Sequence, residues 1–391
     1  MSFLDGVKIL DFSRLLPGPY GTQLLADWGA EVLKVEAIGG GDYTRHVPPT
    51  IDGVGYMFAA INRGKQSLAI DLKHPRAKSV IERLLGAYGV VVETFRAGVM
   101  DRLGLGYEDL RRIRPDVIFV ALSGYGASGP MTARAAHDIN LLARSGVASL
   151  IGVPGQGPIV PGIQLADMSS GVFIACAVTA ALYRRATTGE GSFVDLSMAD
   201  CTLAMAASNL TEASARGRAP DYGEPFLAGS VLCYNYYRTS DGGHMSVGAI
   251  EPEFWRQVCE VLELPELLGE ALSPASSENP HYNTVVARFA TRTRAEWTER
   301  FARANACVEP VLNFDEMGDD PVFTSRGVIS TDPQSGKAFV NSPLVNGCGA
   351  GAAAVPTLGD STVSVLESAG YSANEIRDLV DAGVVAASGT S

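Results

Sequence analysis

The sequence lacks the cysteine and histidine patterns that mark metal sites and disulfide scaffolds. Its cysteines occur singly, with no CxxC pair and no histidine cluster beside them, at Cys176, Cys201, Cys233, Cys259, Cys307 and Cys348. This spacing supplies neither a zinc ligand set nor a disulfide framework, and it indicates buried free thiols in a reducing compartment. We therefore expect no bound metal and a cytoplasmic protein.

Two glycine-rich phosphate motifs are also missing. No GxGxxG opens the first predicted helix, and no GxxxxGK[ST] occurs anywhere in the chain. Their absence weakens the case for a nicotinamide oxidoreductase or another nucleotide enzyme. The run Gly39 to Asp42 follows the second predicted strand, but a lone glycine run more often forms a flexible loop.

Positive charge is scarce, because the formal net charge is −12. A protein of this charge is not expected to bind nucleic acid or an anionic membrane through its general surface. The N-terminus has acidic residues where a signal peptide would have basic ones. The longest apolar stretch, Gly171 to Tyr183, is short for a bilayer span and predicts a core helix. We expect no nucleic-acid partner and no stable membrane association.

What the sequence does contain is a regular alternation of apolar runs and helical patterns. Strands are predicted at 7–12, 32–35, 90–92 and 116–122, each followed by a helical segment. This order predicts an α/β fold with a parallel sheet covered by helices on both faces. Ligands of such sheets bind beyond the carboxyl ends of the strands, which here end at Ser13, Glu36, Glu93 and Ser123.

A change of composition at 216–229 predicts a linker and the start of a second domain. The segment RGRAPDYGEPFLAG mixes proline, glycine and charge. After it, Asp241-Gly242-Gly243 predicts the turn of a hairpin, and three helical stretches follow. We expect a small α+β domain at 230–330.

Basic residues gather just after the predicted strand ends. They are Arg45, Arg63, Lys65, Lys73, Arg96 and Arg102. In an acidic protein such a cluster suits a phosphate-bearing ligand, although each residue taken singly is equally consistent with a solvated surface.

Three ionisable residues lie among apolar or small neighbours, where loss of hydration can shift a pKa. They are His137 in AAHDIN, Asp167 in LADMSSG and Glu251 in AIEPEF. Each also has a structural alternative. His137 alone is more often a hydrogen-bonded structural histidine, Asp167 could be a helix N-cap, and Glu251 precedes Pro252 at a predicted helix start.

Several long segments together resemble the class III CoA-transferase family, in which the α-methylacyl-CoA racemases form a branch. The resemblance runs from about Leu4 to about Leu366, through LDFSRLLPGPYGTQLLADWGAEVLKVE, NRGKQSLAIDLK, VVETFRAGVMDRLGLGYEDL, SGYGASGP, ATTGEGSFVDLSM and CVEPVLNFDEM. It implies a Rossmann-like large domain built from 1–215 and a C-terminal return at 331–391. The smaller domain lies between them, and the protein is implied to be an interlocked homodimer.

The resemblance also implies where a coenzyme A thioester would bind. The family's coenzyme A contacts correspond to Arg14, Ile70, Asp71, Leu72, Lys73, Thr94, Phe95, Arg96 and Arg102. Two residues depart from the family pattern: Thr94 stands where Asn is frequent, and Ala97 where Pro is frequent. No cofactor is implied beyond coenzyme A as part of the substrate.

Two activities of the family compete for this sequence. Transferases use the aspartate that matches Asp167 as a nucleophile and often have a glycine-rich lid, which this chain lacks. Racemases resemble it at GHDINY and GAIEPQF, where this sequence has AHDINL and GAIEPEF. We therefore expect an enzyme of fatty acid metabolism, an isomerase that inverts C2 of 2-methyl-branched acyl-CoA thioesters. A CoA transferase is the second reading and a non-catalytic acyl-CoA carrier the third.

Racemisation requires two bases on opposite faces of the reacting carbon. The resemblance implies His137 and Asp167 for these roles, with Glu251 orienting the histidine ring. The backbone N–H groups at the helix start beside Asp167 are expected to stabilise the enolate oxygen, so no metal is required.

Overall fold

The computed structural model describes residues 2–332, 335–344 and 353–388, so Cys348 lies outside the described residues. The chain divides into two compact units. Unit 1 comprises Met1–Ser145, Gly162–Ala206 and Gly318–Ser391, and unit 2 comprises Gly146–Pro161 and Ala207–Met317. The domain boundaries expected from the sequence stay predictions.

Strands and helices alternate through the first half of the chain. The strands are β1 Lys8–Phe12, β2 Glu31–Glu36, β3 Thr50–Ile51, β4 Val54–Gly55, β5 Gln66–Ile70, β6 Val90–Glu93, β7 Ile118–Ser123, β8 Gly152–Val153, β9 Gly157–Pro158, β10 Ser192–Ser197, β11 Tyr234–Arg238, β12 His244–Gly248, β13 Val308–Pro310, β14 Ile329–Thr331, β15 Ala338–Val340 and β16 Val385–Ala386. The helices are α1 Pro17–Asp27, α2 Tyr56–Asn62, α3 Ala77–Leu84, α4 Val99–Arg102, α5 Tyr107–Ile113, α6 Asp138–Arg144, α7 Leu165–Thr188, α8 Met198–Met205, α9 Ala207–Arg216, α10 Pro252–Leu262, α11 Pro280–Phe289, α12 Arg294–Phe301, α13 Pro321–Arg326, α14 Thr362–Ser368 and α15 Ala373–Asp381.

The main sheet of unit 1 has the strand order β10-β7-β6-β1-β2-β5-β16. Its strands pair in parallel, except β16, which runs antiparallel to β5. This confirms the predicted mixed α/β class with a largely parallel sheet. The sequence reading missed β5, because Gln66 and Ser67 are polar and leave an apolar run of only three residues, Leu68 to Ile70.

Helices cover both faces of this sheet, as the apolar strands require. On one face α3, α5, α14 and α15 bury side chains against the strands in a core that includes Leu33, Val91 and Phe119. On the other face α1 and α7 approach closely at two glycines. A Cβ on Gly21 would lie 2.7 Å from the carbonyl oxygen of Gly171, so a side chain there would separate the helices.

The helix α7 corrects one expectation. The apolar stretch was predicted to be too short for a bilayer, yet the helix has 24 residues. Among the described residues it alone is long and apolar enough to cross a membrane by length and composition. The buried core helix of a globular domain passes the same test, and residues such as Ile174 and Val178 of α7 are fully buried.

Unit 2 contains an antiparallel sheet, β11-β12-β13, with α10, α11 and α12 packed on it. The predicted hairpin turn at Asp241-Gly242-Gly243 joins β11 to β12. Two fully buried tryptophans organise the core, and both indole N–H groups donate to backbone carbonyls. Trp255 bonds to Leu267 and Trp297 to Phe289, each at 2.8 Å. The indoles therefore fill the core without leaving a polar group unpaired.

A network of buried charges lies beneath the carboxyl ends of β1 and β2. Its acidic members are Asp11, Glu36 and Asp42, and its basic members are Lys34, Arg45 and Lys65. The Nζ of Lys34 lies 3.1 Å from Asp42 Oδ2, and that of Lys65 lies 3.2 Å from Asp11 Oδ2. Arg45 bonds both oxygens of Glu36, at 2.8 and 2.6 Å. Equal numbers of opposite charges allow the group to remain buried.

The network also fixes the loops above the sheet. Asp42 accepts backbone N–H groups from Leu15 and Thr44, and the N–H of Asp42 donates to Glu36 at 3.0 Å. Lys34 donates to the carbonyl of Ser13 at 2.9 Å. The loops after β1 and β2 are thereby tied to each other. The segment Gly39 to Asp42, expected as a flexible loop, is anchored at its last residue.

We predict that Lys34→Met lowers the free energy of unfolding by about 3 to 5 kcal/mol, because it leaves the buried carboxylate of Asp42 without its cation. The matched control is Lys8→Met, which removes a half-exposed pair with Glu31 and should cost about 0 to 1 kcal/mol. Urea unfolding measures both variants. Equal, small shifts of the two midpoints contradict the account of the network.

Candidate active site

A cleft of about 690 Å³ opens at the carboxyl ends of the central strands of unit 1. Parallel strands place their following loops at one edge of the sheet, which explains why four separate loops meet there. The lining residues come from the last residues of β2 and β5, the loops after β1, β2, β5 and β6, and the helix α4 with the residue after it: Ser13, Arg14, Val35, Glu36, Ala37, Ile38, Gly39, Gly41, Asp42, Ile70, Asp71, Leu72, Lys73, Phe95, Arg96, Val99 and Leu103.

Of the nine residues expected to contact coenzyme A, seven line this cleft. They are Arg14, Ile70, Asp71, Leu72, Lys73, Phe95 and Arg96. The other two lie outside its lining. Thr94 instead accepts the backbone N–H of Arg14 on its Oγ1 at 3.0 Å, and Arg102 is exposed at the end of α4. The Arg14 guanidinium lies 4.7 Å from the centre of the Phe95 ring, so the first and fourth loops also contact through their side chains.

Three of the six basic residues suggested for an anion site are not available to a ligand. Arg45 is paired with Glu36, Arg63 with Asp27 and Lys65 with Asp11, and all three are buried. Burial lowers the pKa of Lys65 to about 8 against the opposing effect of Asp11. The exposed members, Lys73, Arg96 and Arg102, remain free to approach phosphate groups.

A second group of residues lies where α6 and α7 begin. His137 is the residue directly before α6, and Asp138 is the first residue of that helix. The Oδ1 of Asp138 accepts the backbone N–H groups of Ala166, at 2.7 Å, and of Asp167, at 3.1 Å. The carboxylate of Asp138 therefore caps the first turn of α7 and brings the segment that contains His137 next to Asp167.

The side chain of Asp167 is held in its acid form more strongly than an ordinary aspartate. Burial, and secondarily the charge of Asp138, raise its pKa from 3.8 to about 7. No other charged group is a cause of this shift among the described residues. Near neutral pH this carboxyl can therefore either donate or accept a proton.

The structure corrects three details of the sequence reading. His137 is exposed in this chain, whereas an apolar surrounding was expected. Asp167 is not the N-cap of α7, because that position belongs to Gln164 and Asp167 is the third helical residue. The helix start after Asp167 was expected to offer N–H groups to an enolate, but the N–H of Met168 donates to the carbonyl of Gln164 at 2.9 Å, and those of Ala166 and Asp167 donate to Asp138.

Glu251 belongs to unit 2, whereas His137 and Asp167 belong to unit 1. It is exposed and stands at the N-cap of α10, before Pro252, as its structural alternative supposed. Its backbone carbonyl accepts the N–H groups of Phe254 and Trp255. Its role in orienting the histidine stays a prediction.

The sequence reading missed Asp138 as a functional residue. The available signal was an acidic residue directly after a candidate histidine and at a predicted helix start, where a carboxylate can cap a helix. What the sequence did not show is that Asp138 caps the neighbouring helix α7 and not its own.

The fold is that of an α/β protein with an open cleft at the carboxyl ends of a largely parallel sheet. The model of CoA-transferase family III matches residues 4–362, and the chain belongs to this family. It is 36% identical to alpha-methylacyl-CoA racemase of Homo sapiens over 395 residues, covering 96% of each chain. It is 32% identical to succinyl-CoA:glutarate CoA-transferase of Mus musculus, covering 98% of this chain and 91% of that protein.

A solved structure shares the fold. A CAIB/BAIF family protein from Brucella suis superposes with a TM-score of 0.82 at 26% identity, covering 94% of this chain and 99% of that chain. The family contains both racemases and CoA transferases, so membership establishes an enzyme family and leaves the reaction to be argued from the site.

We predict that Asp138→Asn lowers the pKa of Asp167 below 7, because the substitution removes a like charge and keeps an oxygen that can cap α7. The pKa should stay above 3.8, since burial remains. Carboxyl carbon NMR of aspartate-labelled protein measures it. The control Asp109→Asn changes a half-buried carboxylate on α5 and should leave the titration of Asp167 unmoved. If the pKa of Asp167 is unchanged in Asp138→Asn, the charge of Asp138 does not contribute to the raised pKa.

Proposed function

We propose that the protein is an acyl-CoA racemase or epimerase that inverts C2 of 2-methyl-branched acyl-CoA thioesters. His137 and Asp167 are the two bases, and the cleft of unit 1 holds the coenzyme A portion. The observation that supports this most directly is the raised pKa of Asp167 beside the segment that contains His137.

A two-base racemase works in both directions only if its pair holds one proton in total and that proton can reside on either base. The reference pKa of histidine is about 6.5 and that of aspartate about 3.9, so an ordinary pair would leave the proton on the histidine. A pKa of about 7 brings Asp167 into the range of the reference histidine value. Both protonation states of the Asp167 carboxyl are then populated near neutral pH.

In the proposed reaction one base removes the proton from C2, and the electron pair of that C–H bond forms the enolate double bond. The negative charge moves to the thioester oxygen. The other base, in its acid form, then donates its proton to the opposite face of C2, and the oxygen charge returns to re-form the carbonyl. The pair ends with its proton on the other member and returns to its starting state by exchange with solvent.

A CoA transferase is the second candidate, and the similarity to succinyl-CoA:glutarate CoA-transferase supports it. In that reading the ionised carboxylate of Asp167 attacks the thioester carbonyl, the C–S bond breaks to release CoA as its thiolate, and an anhydride forms. The raised pKa reduces the ionised fraction at neutral pH and therefore favours the acid–base role. A non-catalytic acyl-CoA carrier is the third candidate, and it would bind the thioester without reaction.

The remaining expectations belong to this proposal. We expect the acyl-CoA thioester to be the ligand, with no further cofactor and no metal, and a homodimer in the cytoplasm. Among the described residues no cluster of three or more His, Cys, Asp or Glu side chains is arranged to hold a metal ion.

One incubation separates the three candidates. A single epimer of a 2-methylacyl-CoA is mixed with the protein in deuterated water, with and without a free carboxylic acid. A racemase introduces deuterium at C2 without the acid, and a transferase needs the acid and moves CoA to it. A carrier does neither. If the thioester recovered from the incubation without added acid carries no deuterium at C2, the proposal is wrong.

We predict that His137→Ala and Asp167→Ala each slow C2 exchange by about 10² to 10⁴-fold, the usual contribution of a positioned acid or base. The control Asp109→Asn should exchange at the parental rate. Exchange is measured by mass spectrometry of the recovered thioester, after circular dichroism has shown that the variants are folded. Full exchange in both variants removes these residues from the mechanism.

A further inference from the structure

A buried carboxyl group that the proposed reaction does not use lies directly below the cleft. Glu93 is the last residue of β6 and is 7% exposed. Its Oε2 accepts the backbone N–H of Phe95 at 2.5 Å. The side chain therefore holds the first turn of the loop that follows β6.

That loop forms one wall of the coenzyme A cleft. Phe95 and Arg96 line the cleft, and Phe95 lies under the guanidinium of Arg14 from the loop after β1. Thr94, between Glu93 and Phe95, accepts the backbone N–H of Arg14. A shift of the Phe95 N–H would therefore move both the loop after β6 and, through Arg14, the loop after β1.

On its other side Glu93 lines a separate cavity of about 260 Å³. The charged side chains that face it there are all acidic: Asp101 on α4, Glu108 on α5 and Asp195 on β10. No basic side chain is found among the described residues that line this cavity. Burial, and then Asp101 and Asp195, raise the pKa of Glu93 to about 8, although the Phe95 N–H opposes the shift.

We propose that Glu93 is a positioning residue for the coenzyme A cleft, which holds the Phe95 loop while neutral and releases it on losing its proton. An ionised carboxylate in this position faces two like charges without a buried cation. The Phe95 N–H bonds the ionised carboxylate more strongly than the neutral acid, but this gain is smaller than the cost of burial and of repulsion by Asp101 and Asp195, since the pKa is raised and not lowered. The ionised side chain escapes both costs by turning towards solvent, and the loop bonded to it then moves. The inference rests on the proposed function, because it takes a coenzyme A thioester as the ligand of the cleft.

The experiment measures the Kd of coenzyme A itself by titration calorimetry between pH 7 and pH 9.5. If binding requires neutral Glu93 with a pKa of about 8, Kd rises about tenfold from pH 7 to pH 9. Glu93→Gln carries no titrating group at this position and retains an oxygen for the Phe95 N–H, so its Kd should lack the tenfold rise that Glu93 causes. Lys65 titrates in the same window in both proteins, so their difference isolates Glu93.

A second variant tests the electrostatic cause without touching the loop. Asp195→Asn removes a like charge, which lowers the pKa of Glu93, so the rise in Kd should begin at lower pH than in the parent. If Asp195 acted only through packing, Asp195→Asn would change the Kd of coenzyme A but not the pH at which the Kd begins to rise.

A parental Kd that does not depend on pH, or an equal dependence in Glu93→Gln, overturns this inference and leaves the proposed function intact. Failure of coenzyme A to bind at any pH overturns the proposed function and this inference with it.

Discussion

The contact between Asp138 and the first turn of α7 is the interaction on which the candidate active site depends. Two hydrogen bonds from backbone N–H groups to one carboxylate oxygen join segments that are distant in the chain. The same carboxylate places a negative charge beside Asp167 and contributes to its raised pKa. One side chain therefore joins the two segments and supplies part of the electrostatics that the proposed chemistry requires.

The cleft depends on a different principle, the burial of balanced charge. The network of Asp11, Lys34 and Asp42 with its neighbours fixes the loops after β1 and β2 from below. The hydrogen bond from the backbone N–H of Arg14 to Thr94 then joins the loops after β1 and β6. A ligand that carries phosphates can meet Lys73 and Arg96 at the rim because the buried cations are already neutralised by buried carboxylates.

The sequence predicted the alternation of strands and helices and the edge of the sheet where the cleft forms. It could do so because apolar periodicity and turn residues are local signals. It did not predict that Lys65 and Arg45 are buried, since a basic residue after a strand has the same local pattern whether it faces solvent or a carboxylate. Nor could it find the contact of Asp138 with α7, which exists only once distant segments have packed together.

The most direct test of the two-base account is the fate of the C2 hydrogen in the first turnovers. The protein acts on one epimer of a 2-methylacyl-CoA in deuterated water, and the two epimers are separated before much product has formed. The account predicts that the inverted epimer carries deuterium at C2 while the remaining starting epimer still carries hydrogen. An inverted epimer that retains the original hydrogen would mean that a single base serves both faces, and it would contradict the pairing of His137 with Asp167.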